Sequence, residues 1–480
     1  MKKGFYWLIL LLLVGLFFRV YNFEKSFSFA HDQDLYSWIA KDLLINGHQR
    51  LVGQITSVDG VFIGSAYYYL MALFYRIFDM NPLSAIIPLT LIGLFNIWSI
   101  YYIFTKHFGK KAGVVGGLIW AMSFGIAHFE RWSVPTEPTF TWAIWFLATI
   151  LELLRGNYKF LAIYAFLVAY IWQLHIALLP ITPLPLIAWI ISKNRGTLKN
   201  VLGAGLILLV FISPLLMFEV RHNFSQTKSI IGGFSKDMGG PTGERKFLKV
   251  IDASGRELQT RLAYGFEIKQ VWLFWLVISG ISLVLIRNKG LNGRQVGLIW
   301  AWIGLTFLAQ FTSKRIVSEY YFSNLIPPIV LLVCLGISKL NKSVLIIILF
   351  GYGVVNIGWL INKTDGDQSY FYRKQIVGEI KNDAIKNNYP CVAVNFIADP
   401  GVGVGFRYLF WYQGVKLVRP GVVGVPIYNI SIPWQIVEKE NPIHYGRFGV
   451  LIPKKPSTIA DKAVCDKEEN QLDPLLGYVE

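Results

Sequence analysis

Residues 61–78, VFIGSAYYYLMALFYRIF, form an apolar stretch that could pass for a membrane crossing, and how it is read decides the fold. Eleven other apolar segments have about the length needed to cross a bilayer core of ~30 Å. They are 5–20, 83–105, 112–127, 136–153, 160–177, 181–191, 201–219, 271–286, 297–311, 322–339 and 343–361, of which 181–191 is the shortest. Five basic clusters flank them: Lys106/Lys110/Lys111, Arg155/Lys159, Lys193/Arg195/Lys199, Arg287/Lys289/Arg294 and Lys339/Lys342. Membrane proteins keep such clusters on the cytoplasmic side. With Met1-Lys2-Lys3 inside, all five clusters fall inside if 61–78 does not span, and all five fall outside if it does. The stretch therefore reads as a helix on the outer membrane surface. Tyr67, Tyr68, Tyr69 and Tyr75 suit an interface, and Arg76 and Asp79 close the segment.

Composition agrees. Of 480 residues, 54% are hydrophobic and 16% charged, where a soluble protein carries roughly a quarter charged residues. The net charge of +17 sits in short clusters between apolar runs. That pattern orients a membrane protein and argues against nucleic acid as a partner. Segment 5–20 lacks a small-residue cleavage site and reads as a retained first helix rather than a signal peptide. The expected fold is an all-α polytopic membrane protein of about eleven spans, with outer interfacial helices. Residues 1–361 form the membrane domain in this reading, and residues 362–480 a small outward-facing α/β domain. Within the latter, 370–387 has helical spacing, while 391–397, 405–412 and 448–453 read as strands bounded by Gly and Pro. The run 401–405 reads as a turn rather than a dinucleotide fingerprint. Cys334 lies in an apolar run and reads as a buried small hydrophobe. Cys391 and Cys465 either pair in an oxidising compartment or stay unrelated thiols. The Gly-rich outer loop 220–270 reads as partly mobile.

Chemistry concentrates on the outer side. The first outer loop presents His31-Asp32-Gln33-Asp34, followed by Leu35, Trp38, Ile39 and Leu43 opposite Ser37, Lys41 and Asp42. This is an amphipathic interfacial helix over 34–45. Asp34 is placed to cap it, which leaves Asp32, beside apolar Phe27-Ser28-Phe29-Ala30, as the stronger catalytic candidate. Carboxylates at an apolar boundary accept protons more readily, which suits a general base. A second cluster, Glu130, Arg131 and Glu137-Pro138, lies at the outer ends of two helices. Glu137 could simply meet the helix dipole ahead of a first-turn proline, yet charges at such depth tend to have functional partners. Arg131, Arg221, His222, Lys314 and Arg315 could bind phosphate, or lie solvated among loops and headgroups. His175 is open between ligand and structural residue, and Glu319-Tyr320-Tyr321 between site and interface belt. Neither zinc-ligand spacing, nor a phosphate-cradling loop with a Lys, nor a nucleophile elbow is present.

The chain resembles the C-type glycosyltransferases, specifically the family 39-like branch with the protein O-mannosyltransferases and the lipid A aminoarabinose transferase. That branch carries Asp-Glu-Ala-x-Tyr-x-x-x-Ala and then Gly in its first outer loop; here Asp32, Tyr36, Ala40 and Gly47 fall in register. Gln33 departs from the usual Glu, so the pair of adjacent acids that could ligate a metal is missing. Glu137-Pro138 matches a later acid-Pro pair, and Tyr320-Tyr321 with Pro327-Pro328 a late Tyr-Tyr and Pro-rich span start. The likeness covers roughly residues 1–360. It implies an inverting transfer of a sugar from a polyprenyl phosphate to a lipid, glycan or protein acceptor, on the outer side of the cytoplasmic membrane. It implies Asp32 as base, with Glu137 and Asp34 as further catalytic candidates. Arg131, Glu130, Tyr36, His175, Arg221, Arg315, Glu319 and Tyr320 would bind substrate. No cofactor follows, and a divalent metal is left open. The rival class is a transporter or flippase of cell-envelope precursors, but the polar residues gather at one face and no internal repeat is visible.

Overall fold

The computed structural model describes residues 2–56, 59–235, 241–266, 268–313, 315–363, 366, 368–399 and 405–472. Lys314 and residues 401–404 lie outside the described residues. Each of the eleven expected apolar segments is helical. Pro82–Phe108, Leu198–Arg221, Gly293–Thr312, Glu319–Ile337 and Lys342–Lys363 are long and apolar enough to cross a membrane. Gly4–Val20, Thr139–Leu154, Phe160–Leu174, Ile176–Ile190 and Trp272–Arg287 are apolar helices of 10–17 residues. The chain is a multi-pass membrane protein; a count of eleven spans would rest on these shorter helices and on one bent pair.

Local chemistry explains the ends and the bend. Asn292 Oδ1 accepts from Gln295 N at 2.8 Å while Gln295 Oε1 accepts from Asn292 N at 3.0 Å, a reciprocal cap that starts Gly293–Thr312. Segment 112–127 is not one straight helix: Lys110–Met122 and Phe124–Glu130 meet at 66°. A break inside a bilayer leaves backbone groups without partners unless side chains supply them. Here Asn356 Oδ1 takes Phe124 N at 2.7 Å and Ser123 Oγ takes Ile126 N at 3.3 Å. The second arm thereby leads into the turn of Trp132, Val134, Pro135 and Thr136.

The basic clusters meet at one end of the bundle. Lys111 Nζ donates to the carbonyls of Ser338 and Leu340, and Arg155 donates to the His107 carbonyl at 3.2 Å. Gly156 packs against Asn194, and Gly290 lies near Lys339. The first helix reaches the same end, where the Gly4 carbonyl accepts from Tyr101 at 3.0 Å.

The stretch that decided the topology is not one long helix. Phe62–Gly64 pairs antiparallel with Val52–Ile55, and the helix that follows, Ala66–Ile77, has 12 residues, against about 20 for a crossing. Its tyrosines correct the interface reading: Tyr67, Tyr68 and Tyr75 are buried in protein and only Tyr69 is exposed. The helix His31–Lys41 behaves alike, with Leu35, Tyr36 and Ile39 buried. Both apolar faces join one core with Tyr370, Ile376, Val377, Ile380, Leu409 and Val450 from the C-terminal region. An apolar stripe fits protein as well as lipid, so periodicity alone could not separate the two.

That region holds the helix Tyr370–Lys386 and a four-stranded sheet. Ala393–Ala398 pairs parallel with Ile427–Ile432, which pairs antiparallel with Phe448–Leu451 and so on to Ile443–Tyr445. Cys391 and Cys465 are bonded, and Cys334 is buried and free. The expected strand over 405–412 is instead the helix Arg407–Tyr412. Its first turn is held by Asp34, whose Oδ1 accepts from Tyr408 N at 2.8 Å. Asp34 therefore does not cap its own helix, which begins earlier, at His31 with Ala30 before it. The loop 220–270 is also corrected: it contains Ser225–Ser235 and Gly243–Leu262. In the latter, Lys246, Val250, Ala253, Ser254, Glu257, Leu258 and Arg261 are buried along one helical face. Four of those residues are polar, so the stripe does not read as hydrophobic.

Removing the Asp34 carboxylate leaves the Tyr408 N–H buried and unmet, at a cost of about 1–3 kcal/mol. Asp34→Ala in detergent should lower the unfolding temperature and speed proteolytic release of the region after Lys363, and Asp34→Asn should do less. Identical melting of all three proteins would contradict this.

Candidate active site

Five segments converge on a cavity of about 230 Å³. The first turn of His31–Lys41 supplies Asp32, and the hairpin supplies Gln54, Ile55 and Ile63. The turn after Phe124–Glu130 supplies Trp132, Val134, Pro135 and Thr136. Leu174 and His175 come from the break after Phe160–Leu174, and Tyr320 from the start of Glu319–Leu325. Asp32 is half-buried, and its Oδ1 accepts from Gln54 Nε2 at 3.3 Å. The Gln54 amide is oriented for this. Tyr68 Oη donates to its Oε1 at 3.1 Å and accepts the Gln54 backbone N–H at 3.0 Å, leaving the amide protons for the carboxylate.

Gln33 accounts for its own departure from the resembled motif. Its Oε1 accepts from Ala30 N at 2.9 Å and its Nε2 donates to the Ser133 carbonyl at 2.7 Å. An ionised Glu could not make the second bond. Ser133 Oγ in turn donates to Tyr36 Oη at 2.9 Å and meets Tyr67 Oη at 2.8 Å. Buried Tyr36 thus ties the Asp32 helix to the opposite wall rather than entering the cavity.

His175 Nδ1 accepts from Ala177 N at 3.0 Å, so the proton of the neutral ring sits on Nε2. Its ring lies 4.9 Å from Tyr321 and 6.2 Å from Tyr320. The charge of Arg315 acts on His175 and Tyr320, which puts this cation near the wall though outside the cavity lining.

Other expected site residues stand elsewhere. Glu130 is saturated by Arg19, by Asn96 Nδ2 at 2.7 Å and by Trp120 Nε1 at 3.0 Å. Arg131 donates to the Tyr21 carbonyl at 2.7 Å and to Ser26 Oγ, so it fastens the first loop. Asp34 faces Tyr408. Arg221 is exposed at the end of its helix, and Glu319 is exposed and faces the charges of Glu257, Arg256 and Arg261. Glu137 follows the wall residue Thr136 but is fully buried behind it, with no hydrogen bond to either oxygen. Gln54, Trp132 and Thr136 escaped the sequence reading, because nothing in their spacing distinguishes them from neighbours. Among the described residues no three His, Cys, Asp or Glu side chains come together as a metal site. Asp32 and His175 alone do not make a metal cage.

The family described as dolichyl-phosphate-mannose-protein mannosyltransferase matches residues 65–218. No curated protein sequence matches the chain. The crystal structure of ArnT from Cupriavidus metallidurans bound to undecaprenyl phosphate is similar, with a TM-score of 0.60 at 12% identity over 95% of this chain and 99% of that one. The apo state of the same protein gives 0.57 at 12% identity, over 93% and 98%. Family match and fold agree that the chain resembles the C-type glycosyltransferases.

One outcome tests the wall. Gln33→Glu should cost about 1–3 kcal/mol through the facing Ser133 carbonyl and lower the unfolding temperature at neutral pH, with partial recovery on acidification; unaltered melting would contradict the geometry.

Proposed function

We propose that this glycosyltransferase moves a sugar from a polyprenyl-phosphate donor to a lipid, glycan or protein acceptor at the outer face of the cell membrane, with inversion and with Asp32 as general base. The carrying observation is the cavity that gathers Asp32, Gln54, His175 and Tyr320 with Arg315 beside them. The acceptor hydroxyl or amine gives its proton to Asp32 as its heavy atom bonds to the anomeric carbon. The anomeric C–O bond to phosphate breaks, and the electron pair leaves on the phosphate oxygen. Arg315 and the Nε2–H of His175 oppose the charge growing there. Arg315 is preferred over Arg131 and Arg221 because the former is engaged by Tyr21 and Ser26 and the latter stands exposed outside the cavity wall.

In this reading Asp34, Tyr36, Glu130 and Arg131 are positioning residues: their hydrogen bonds hold the turn and the helix that carry the wall, while Glu137 is buried behind it without a partner. Glu319 and Arg221 would touch only a large acceptor. The N-terminus and the basic end of the bundle face the cytoplasm. Residues 362–480 lie outside, which suits the bond between Cys391 and Cys465.

In membranes supplied with a radiolabelled polyprenyl-phosphate sugar, Asp32→Asn should lower transfer by roughly 10²–10⁴-fold. Arg315→Gln should lower it by roughly 10²-fold. Unchanged transfer by Asp32→Asn would sink the assignment.

A further inference from the structure

The helix His31–Lys41 serves two cavities. Its first turn puts Asp32 into the active-site cavity, while Trp38 lines a second, larger cleft of about 600 Å³ against the C-terminal region. Trp411, Arg407, Lys416, Arg419 and Gln471 complete most of that lining. The indoles arrange the cations. Lys41 Nζ stands 4.1 Å from the Trp38 ring centre and 5.1 Å from that of Trp411, and the Arg407 guanidinium lies 4.5 Å over Trp38. An aromatic face fixes a cation without neutralising it. Arg419 is exposed, with its backbone N–H held by the Asn470 carbonyl at 2.9 Å. Lys416 pairs with Asp466, and Glu468 also lines the cleft. Among the described residues, the cations Lys41, Arg407, Lys416 and Arg419 therefore outnumber the carboxylates Asp466 and Glu468 around it.

We propose that this cleft binds an anionic saccharide portion of the acceptor, a reading that rests on the transfer reaction proposed above. The cations suit a phosphate or carboxylate substituent, Arg by a planar fork and Lys by point charge. Gln471, whose Nε2 already donates to the Cys465 carbonyl at 2.8 Å, and Glu468 add acceptor oxygens, which suit hydroxyls, and Val415 and Leu417 add apolar wall. Donors and acceptors interleaved on apolar wall fit a polyhydroxylated ring better than a bare ion. Trp38 lies six residues beyond Asp32, about 9 Å along the helix axis and about 120° around it, so an acceptor that reaches both must pass around this helix. The cleft would thus hold the acceptor remotely and present its nucleophile to Asp32, the way remote binding serves a reacting centre.

The test titrates the full chain in nanodiscs with pentamannosyl phosphate and, separately, with neutral mannopentaose, by calorimetry at low and high salt. The phosphorylated sugar should bind roughly tenfold or more tightly than the neutral one, and salt should weaken it. The variant Lys41→Gln with Arg419→Glu should lose roughly tenfold or more of that affinity; matched melting curves show that it folds. Equal binding of the two sugars, no binding by the parent chain, or full binding by the folded variant would each overturn the cleft. Undecaprenyl phosphate, titrated into the same preparations, separates the two proposals. Its binding should be equal in parent and variant. Binding of the lipid without the sugar defeats the cleft alone, and binding of the sugar without the lipid defeats the donor reading while the cleft stands.

Discussion

The hydrogen bond from Tyr408 N to the Asp34 carboxylate, 2.8 Å long at a position 2% exposed, is the constraint on which the rest leans. A carboxylate is rarely buried without partners. Here it meets the first turn of Arg407–Tyr412, with Arg373 close enough to sense its charge. The Arg373 guanidinium lies over the Phe448 and Phe406 rings at 4.6 and 5.4 Å. The C-terminal region is thereby clamped to His31–Lys41, and that helix can hold Asp32 at a fixed height over the membrane-embedded bundle. Gln33 does the same from the other side through Ser133. Two neighbours of Asp32 thus spend their polar groups on placement and leave it to face the cavity.

The membrane fold was largely legible because bilayer thickness imposes a length on every crossing and charge bias imposes a direction. The parity of five basic clusters kept 61–78 out of the membrane, and the 12-residue helix Ala66–Ile77 agrees. What periodicity could not say was which partner an apolar face meets. Leu35, Ile39 and Tyr75 cover protein, not lipid. Gly243–Leu262 was hidden for the converse reason, since Lys246, Glu257 and Arg261 sit on its buried face. There the ion pair of Arg261 with Glu257 at 2.9 Å, and the bond from Ser323 Oγ at 2.6 Å, replace apolar contact.

The candidate site residues could be listed from the sequence as acids and bases, but not placed as a geometry. Asp32, His175 and the segment with Arg315 and Tyr320 lie more than a hundred residues apart in the chain, joined only by how helices pack. Glu130 and Arg131 looked equally functional, yet each is consumed by local partners, Arg19 and Asn96 for one and Tyr21 and Ser26 for the other. Sequence lists the ionisable groups at a given depth; it does not tell which of them folding has already paired.

The proposed single displacement with Asp32 as base would fix the stereochemistry of the product, because the nucleophile must approach the anomeric carbon opposite the departing phosphate. The most direct test is the anomeric configuration of the transferred sugar, read from the one-bond C–H coupling at the anomeric carbon in product made with a donor of known anomer. The account predicts the opposite anomer in the product. A retained anomer would require a covalent intermediate or front-face attack, and would contradict Asp32 as the base of a one-step transfer.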